Sequence, residues 1–135
     1  MDVSVVIPTL NAECEIEELL VALERQSLRP KEILVVDSAS NDNTVPVVIM
    51  HGGIHLLQIE RCDFNHGATR DMALRATTGD FVCFLTQDAL PASDDYLKRL
   101  VTPMVRDSSV ALVSGRQLPK ADARRFEQLV RSFNY

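Results

Sequence analysis

The sequence predicts an α/β fold: a mostly parallel sheet covered by helices on both faces. Three observations predict it. Short, continuous runs of β-branched and other apolar residues recur along the chain, as in strands buried on both faces. Between them lie stretches whose apolar residues fall at helical spacing, which gives the strand–helix rhythm of parallel sheets. Polar clusters follow three of the apolar runs, where sheets of this kind bind ligands.

The elements follow in order. Val3-Ser4-Val5-Val6-Ile7 is β-branched and stops at Pro8, so it reads as a buried strand. Ile16, Leu19, Leu20 and Leu23 recur at helical spacing in a Glu-rich stretch. Residues 33–36 form a second buried strand ending at Asp37. Asn41-Asp42-Asn43-Thr44 has the composition of a turn and helix cap. A short helix over 45–50 follows, against the β preference of its valines. A third strand is expected over 54–59, a helix over 68–76, a turn at Gly79-Asp80 and a fourth strand over 81–85. A helix over 94–105 carries Pro103 as a strain on its last turn. A later strand over 110–113 and a final helix over 122–133 complete the reading.

Composition bounds the function. The chain has 135 residues, enough for one domain, and 46% hydrophobic residues, enough for a core. Its net charge of −5 lacks the basic footprint of a nucleic-acid binder. No apolar run approaches the roughly 20 residues that span a bilayer. Met1-Asp2-Val3-Ser4 has neither the basic region nor the apolar run of a signal peptide. The cysteines, Cys14, Cys62 and Cys83, are odd in number and widely spaced. They read as inert reduced thiols in a helix, a loop and a strand of a cytoplasmic protein. His51 and His55 flank Gly52-Gly53 without a partner at metal-ligand spacing, and read as surface residues.

If the strands are parallel, Pro8-Thr9-Leu10-Asn11, Asp37-Ser38-Ala39-Ser40 and Thr86-Gln87-Asp88 share one edge. Asp37, at the end of the second strand, either accepts hydrogen bonds from a ribose or base edge, or only ends the strand and caps a turn. The first turn, Pro8 to Glu13, holds no glycine, and no phosphate-cradling loop is present. A bound diphosphate would need its charge neutralised elsewhere. Asp88 is the candidate, because magnesium binds through one or two carboxylates plus phosphates; the alternative is a solvated aspartate before Leu90-Pro91. In Asn65-His66-Gly67-Ala68-Thr69-Arg70, Gly67 permits close backbone approach and Arg70 can reach a phosphate. The alternatives are a surface-loop histidine at 66 and a helix-face ion pair from Arg70 to Asp71 or a neighbour.

These motifs carry a resemblance. Val3 to Asn11, followed by Val35 to Thr44, resembles the "V-S-V-V-I-P-x-x-N" and "V-D-D-x-S-x-D-x-T" segments of inverting family 2 glycosyltransferases. Phe64 to Arg70, Gly79-Asp80, Phe84 to Ala89 with Pro91, Gly115 to Pro119 and Arg131 to Tyr135 resemble the bacterial rhamnosyltransferase branch. The resemblance spans nearly the whole chain. It implies a Rossmann-like GT-A fold, with residues 1–135 as the nucleotide-sugar (donor) binding domain and the acceptor-binding region following. It implies a dTDP- or UDP-sugar donor, dTDP-rhamnose in the first place. It also implies a saccharide or glycolipid acceptor, transfer with inversion, and Mg2+ or Mn2+ as the cofactor. Pro8 and Thr9 match positions lining the nucleoside pocket. Glu13 matches a position near the nucleotide, and Ser38 follows Asp37, which matches the aspartate that bonds the pyrimidine base. Arg70 lies where the third helix faces the diphosphate. Asp88 matches the last aspartate of the metal-holding Asp-x-Asp motif. Thr86 and Gln87 depart from that motif and leave a single carboxylate. The family's base lies beyond the aligned part, so no catalytic residue is assigned. A non-catalytic nucleotide-binding or interaction module is the alternative favoured by that missing base. A sugar-phosphate nucleotidyltransferase would need a glycine-rich loop where Pro8 to Glu13 stands.

In the final helix, Phe126, Leu129, Val130 and Phe133 form an apolar stripe, with Arg124, Arg125 and Arg131 mostly off it. Such a stripe either folds back on the sheet domain or meets a second copy, giving a homo-oligomer through this helix. The full-length protein is expected in the cytoplasm, at the inner face of the membrane.

Overall fold

The sheet is built around β1 (Val3–Thr9). The computed structural model describes residues 1–134, and side chains as far as Arg131. β1 pairs in parallel with β2 (Glu32–Asp37) on one side and β4 (Phe81–Phe84) on the other, and β3 (His55–Gln58) extends the sheet beyond β2. The order is β3-β2-β1-β4. Helices separate consecutive strands: α1 (Ile16–Glu24), α2 (Thr44–His51) and α3 (His66–Ala76). α4 (Tyr96–Arg106) follows β4, and α5 (Arg125–Asn134) comes last. Two compact units divide at Lys98 and Arg99. The sheet and the elements through α3 lie in the first.

β1 does not stop at Pro8. Residues 3 and 9 accept from the β2 side (Lys31 N–H to Val3, Ser38 N–H to Thr9), while residues 2 and 6 accept from the β4 side (Phe81 and Leu85 N–H). Position 8 therefore faces β4, whose pairing with β1 ends at Val6↔Phe84. A proline there deprives no ladder of a donor, which is the condition under which a strand tolerates it.

Burial explains why these runs are strands. Val6, Leu34 and Val36 lie on one face and cluster with Ala73 of α3; Leu57, Ile59 and Val82 cover the margin. The alternate residues Val5, Ile7 and Val35 are fully buried on the other face, and the α1 stripe Ile16, Leu19, Leu20, Leu23 is equally inaccessible. Full burial of each such side chain stabilises the fold by about 1.5–3 kcal/mol before entropy is counted.

Local chemistry sets the boundaries. α2 forms despite its valines because the Asp42 carboxylate accepts from both the N–H and the hydroxyl of Thr44; Pro46 sits in the first turn, where its missing N–H costs nothing. α3 starts at His66, two residues early, because the Asn65 carboxamide oxygen accepts from Gly67 and Ala68 N–H, 3.0 Å each. α4 runs past Pro103 to Arg106. α5 starts at Arg125, with Phe126 and Leu129 exposed; Phe133 lies outside the residues whose side chains are described.

Several expectations are corrected. Residues 110–113 form no strand: β-branched residues make a strand only where a neighbouring backbone pairs with them, and none does among the described residues. Leu112 there is 86% exposed. His51 is not a surface residue; its side chain is only 13% exposed, with Nε2 3.0 Å from a Glu24 carboxylate oxygen on α1, against which α2 packs. Cys14 lies in an exposed turn before α1 rather than in a helix. Cys62 is exposed in a short 3-10 turn, Arg61–Asp63. Cys83 is in β4, and burial pushes its thiol up to about 11. No helix among the described residues is long and apolar enough to cross a membrane.

Candidate functional site

Parallel pairing puts the carboxyl ends of β1, β2 and β4 on one edge. There two loops, 9–13 and 37–44, are laced together. Asp37 is fully buried. Its Oδ1 accepts from the Thr9 hydroxyl at 2.9 Å and from the Ser40 hydroxyl; Oδ2 accepts from Ser40 N–H at 2.9 Å. The Ser40 oxygen in turn accepts from Asn11 N–H, and the Asn11 side-chain oxygen from Asn41 N–H. Glu13 accepts from both the backbone and side-chain N–H groups of Asn43, at 2.9 and 3.0 Å. Burial raises the Asp42 carboxyl, but its bonds from Thr44 and Glu13 outweigh that and hold it below the usual range. Asn11 (φ 49°) and Ala39 (φ 53°) are left-handed, a costly geometry for residues with a side chain. The lacing over-determines both positions.

Above this junction opens a cleft of about 280 Å³, lined by Pro8, Thr9, Leu10, Ser38, Arg61, Phe64, His66, Arg70, Thr86 and Gln87. Every residue of its wall lies in the first unit. Four of the residues singled out above, Pro8, Thr9, Ser38 and Arg70, are brought together in that wall. Asp37 is not: it has no exposed surface, and its oxygens accept three hydrogen bonds from Thr9 and Ser40. These three bonds tie the buried Asp37 carboxylate to both loops, and hydrogen bonds of this kind are what make a buried carboxylate tolerable. Glu13 and Asp88 also lie outside the wall. Arg70 does not pair with Asp71; its Nη1 donates to the His66 carbonyl at 3.1 Å, while Asp71 takes Arg75 at 2.9 Å.

Arg61 and Phe64 were not anticipated. Arg61 lines the cleft from the 3-10 turn, and its Nε donates to the Ala39 carbonyl at 3.3 Å. Phe64 meets the His66 ring edge-on, centroids 4.9 Å apart. The strand-end rule applied to β3 would have pointed to Arg61, which stands three residues past Gln58. The cleft thus joins two guanidinium groups to an apolar floor and small hydroxyls, a combination suited to an anionic ligand with a flat apolar part.

The fit to a divalent cation rests on Asp88. It is exposed in the turn closed by Ala89 N–H on the Thr86 carbonyl. Its carboxylate takes part in no hydrogen bond or ion pair among the described residues, and no group of three His, Cys, Asp or Glu gathers there. A single free carboxylate suits a cation that draws its other oxygens from phosphate and water.

This arrangement, phosphate-seeking groups at the carboxyl edge of a parallel sheet without a glycine-rich turn, is that of a glycosyltransferase of the GT-A type. Residues 4–133 match the model of glycosyl transferase family 2, and the chain belongs to that family. It is similar to the O-antigen chain rhamnosyltransferase RfbN of Salmonella typhimurium, 40% identical over 136 residues, covering 100% of this chain and 43% of RfbN. The chain thus spans less than half the length of that curated relative. Residues 1–349 of S. aureus TarS in complex with UDP superpose with a TM-score of 0.65 at 31% identity, over 78% of this chain and 32% of that TarS fragment. The mannosyltransferase PcManGT of Pyrobaculum calidifontis, in complex with GDP-Man and Mn2+, gives 0.67 at 33%, over 80% and 33%.

Proposed function

We propose that this chain binds the nucleotide-sugar donor of a glycosyltransferase that moves rhamnose from dTDP-rhamnose to a saccharide or glycolipid acceptor with inversion. The observation that carries the reading is the cleft at the carboxyl edge, whose lining includes Thr9, Ser38, Arg61 and Arg70. The nucleoside lies along Pro8, Thr9 and Ser38, whose loops Asp37 and Glu13 hold in place. Arg70 meets the diphosphate. The name of RfbN favours rhamnose, and the UDP and GDP-Man in the two neighbours favour a nucleotide sugar.

In the reaction an acceptor hydroxyl attacks the anomeric carbon from the face opposite the diphosphate. The new C–O bond forms as the bond to the diphosphate breaks, through an oxocarbenium-like transition state. Asp88 would hold Mg2+ or Mn2+, which would supply positive charge to the departing diphosphate. Arg70 supplies a second positive charge from the protein. No carboxylate is among the cleft-lining residues, so the base is assigned to no residue of this chain. The free cysteines favour a reducing compartment, and we place the protein in the cytoplasm.

Calorimetric titration tests the cation's part. Manganese should tighten thymidine diphosphate about tenfold, roughly 1.4 kcal/mol, and Asp88→Asn should remove most of that gain. Unchanged affinity on adding chelator to the wild-type protein contradicts the assignment.

A further inference from the structure

Gln87 stands at the middle position of the metal motif, between Thr86 and Asp88, and its bonding gives it a task of its own. β1 and β4 stay paired up to Val6↔Phe84, with Leu85 N–H on the Val6 carbonyl. Past that point the strands no longer pair, and Leu10 N–H bonds the Gln87 Oε1 at 2.9 Å. A backbone N–H can only donate, so the carboxamide must present its oxygen to Leu10. The amide nitrogen is thereby committed to the other end. That nitrogen has no hydrogen-bond partner among the described residues, and Gln87 lines the cleft next to Asp88 in sequence.

We propose that the Gln87 amide nitrogen is a donor-binding group that donates a hydrogen bond to a diphosphate oxygen of the nucleotide sugar. The assignment rests on the nucleotide-sugar reading above and adds a residue to it. Three features converge on the diphosphate rather than on a sugar hydroxyl or the base. Arg70, which lines the same cleft, calls for an anion. Asp88, the next residue, is the carboxylate free for a cation that phosphates share. An acid at position 87 could accept the Leu10 bond equally well, but its second oxygen would be a charged acceptor facing a charged acceptor. The amide converts that repulsion into a neutral donor without giving up the brace. With one carboxylate instead of two, the site then relies less on metal and more on hydrogen-bond donors.

Gln87→Glu separates the two tasks, since it keeps the acceptor for Leu10 and replaces the donor with an oxygen. Gln87→Met removes both. The probes are thymidine diphosphate and thymidine, titrated calorimetrically into the protein in chelator and in manganese. Gln87→Glu should bind thymidine diphosphate about tenfold more weakly than wild type in chelator, with thymidine changed less than about twofold. Manganese should close most of that gap, because the new carboxylate can share the cation. Gln87→Met should weaken both ligands, as the 9–13 loop loses its tie. Two results overturn the proposal: thymidine diphosphate binding by Gln87→Glu within twofold of wild type in chelator, or equal weakening of thymidine and thymidine diphosphate. If wild type binds neither ligand in either condition, the nucleotide-sugar reading falls and takes this assignment with it.

Discussion

Asp37→Ala should lower stability by about 3 kcal/mol, the cost of stranding buried donors that now share one carboxylate. The Thr9 hydroxyl, the Ser40 hydroxyl and Ser40 N–H all lose their acceptor, and Asn11 N–H loses a fixed Ser40 oxygen. Both loops below the cleft loosen together, so nucleotide affinity should fall at least tenfold in protein that remains folded. Asp37→Asn should lose about half as much stability. Its amide oxygen can still take Ser40 N–H, and the two hydroxyls can rotate to accept from its NH2. Urea unfolding followed by circular dichroism checks the ranking. An Asp37→Ala midpoint equal to wild type would mean that the network does not hold the loops.

Gly79→Ala should also destabilise strongly, by about 2 kcal/mol, through overpacking. A Cβ at 79 would stand 2.6 Å from the Ser4 oxygen and 2.7 Å from the Ser4 backbone nitrogen. The backbone of a central strand cannot yield. The substitution also disturbs the bond from Gly79 N–H to the Ser4 hydroxyl, 2.9 Å, which in turn donates to Glu32 at 2.6 Å. That hydroxyl, with the Thr78 N–H, holds the Glu32 carboxyl below its usual 4.5. A depressed carboxyl adds stability above its unfolded pKa and loses it as the pH falls through the folded value, so Gly79→Ala should also show a flatter acid limb. This knot sits at the amino end of the sheet, away from the cleft. Nucleotide affinity measured below the unfolding temperature should therefore match wild type, in contrast to Asp37→Ala. A variant as stable as wild type would show that Ser4 and Gly79 are not so closely packed.

The sheet was legible because its strands are buried on both faces: Val3 to Ile7 and residues 33–36 can only be strands of a covered sheet, and their strand-end polar clusters then had to share an edge. That reasoning puts Thr9 and Ser38 on the edge where the cleft opens, while Arg70, which lines the same cleft, comes from the segment that opens the third helix. It failed where structure depends on partners far away in sequence. Residues 110–113 have strand propensity but no backbone to pair with. Pro8 looks like a stop until the register shows that its missing N–H faces past the end of β4. Nothing local to Asp37 shows that Thr9, 28 positions earlier, bonds its carboxylate. Arg61 enters from a 3-10 turn with no periodic signature. His51 reads as a surface residue beside two glycines, yet Glu24, 27 positions earlier in the sequence, receives it.

The central claim is that the cleft between Thr9, Ser38 and the two arginines holds a pyrimidine nucleoside diphosphate. Titration of the protein with thymidine, uridine and adenosine diphosphates in manganese tests it directly. The account predicts that thymidine and uridine diphosphates bind at least about tenfold tighter than adenosine diphosphate, a difference of roughly 1.4 kcal/mol. Equal binding of all three, or none at all, would contradict it.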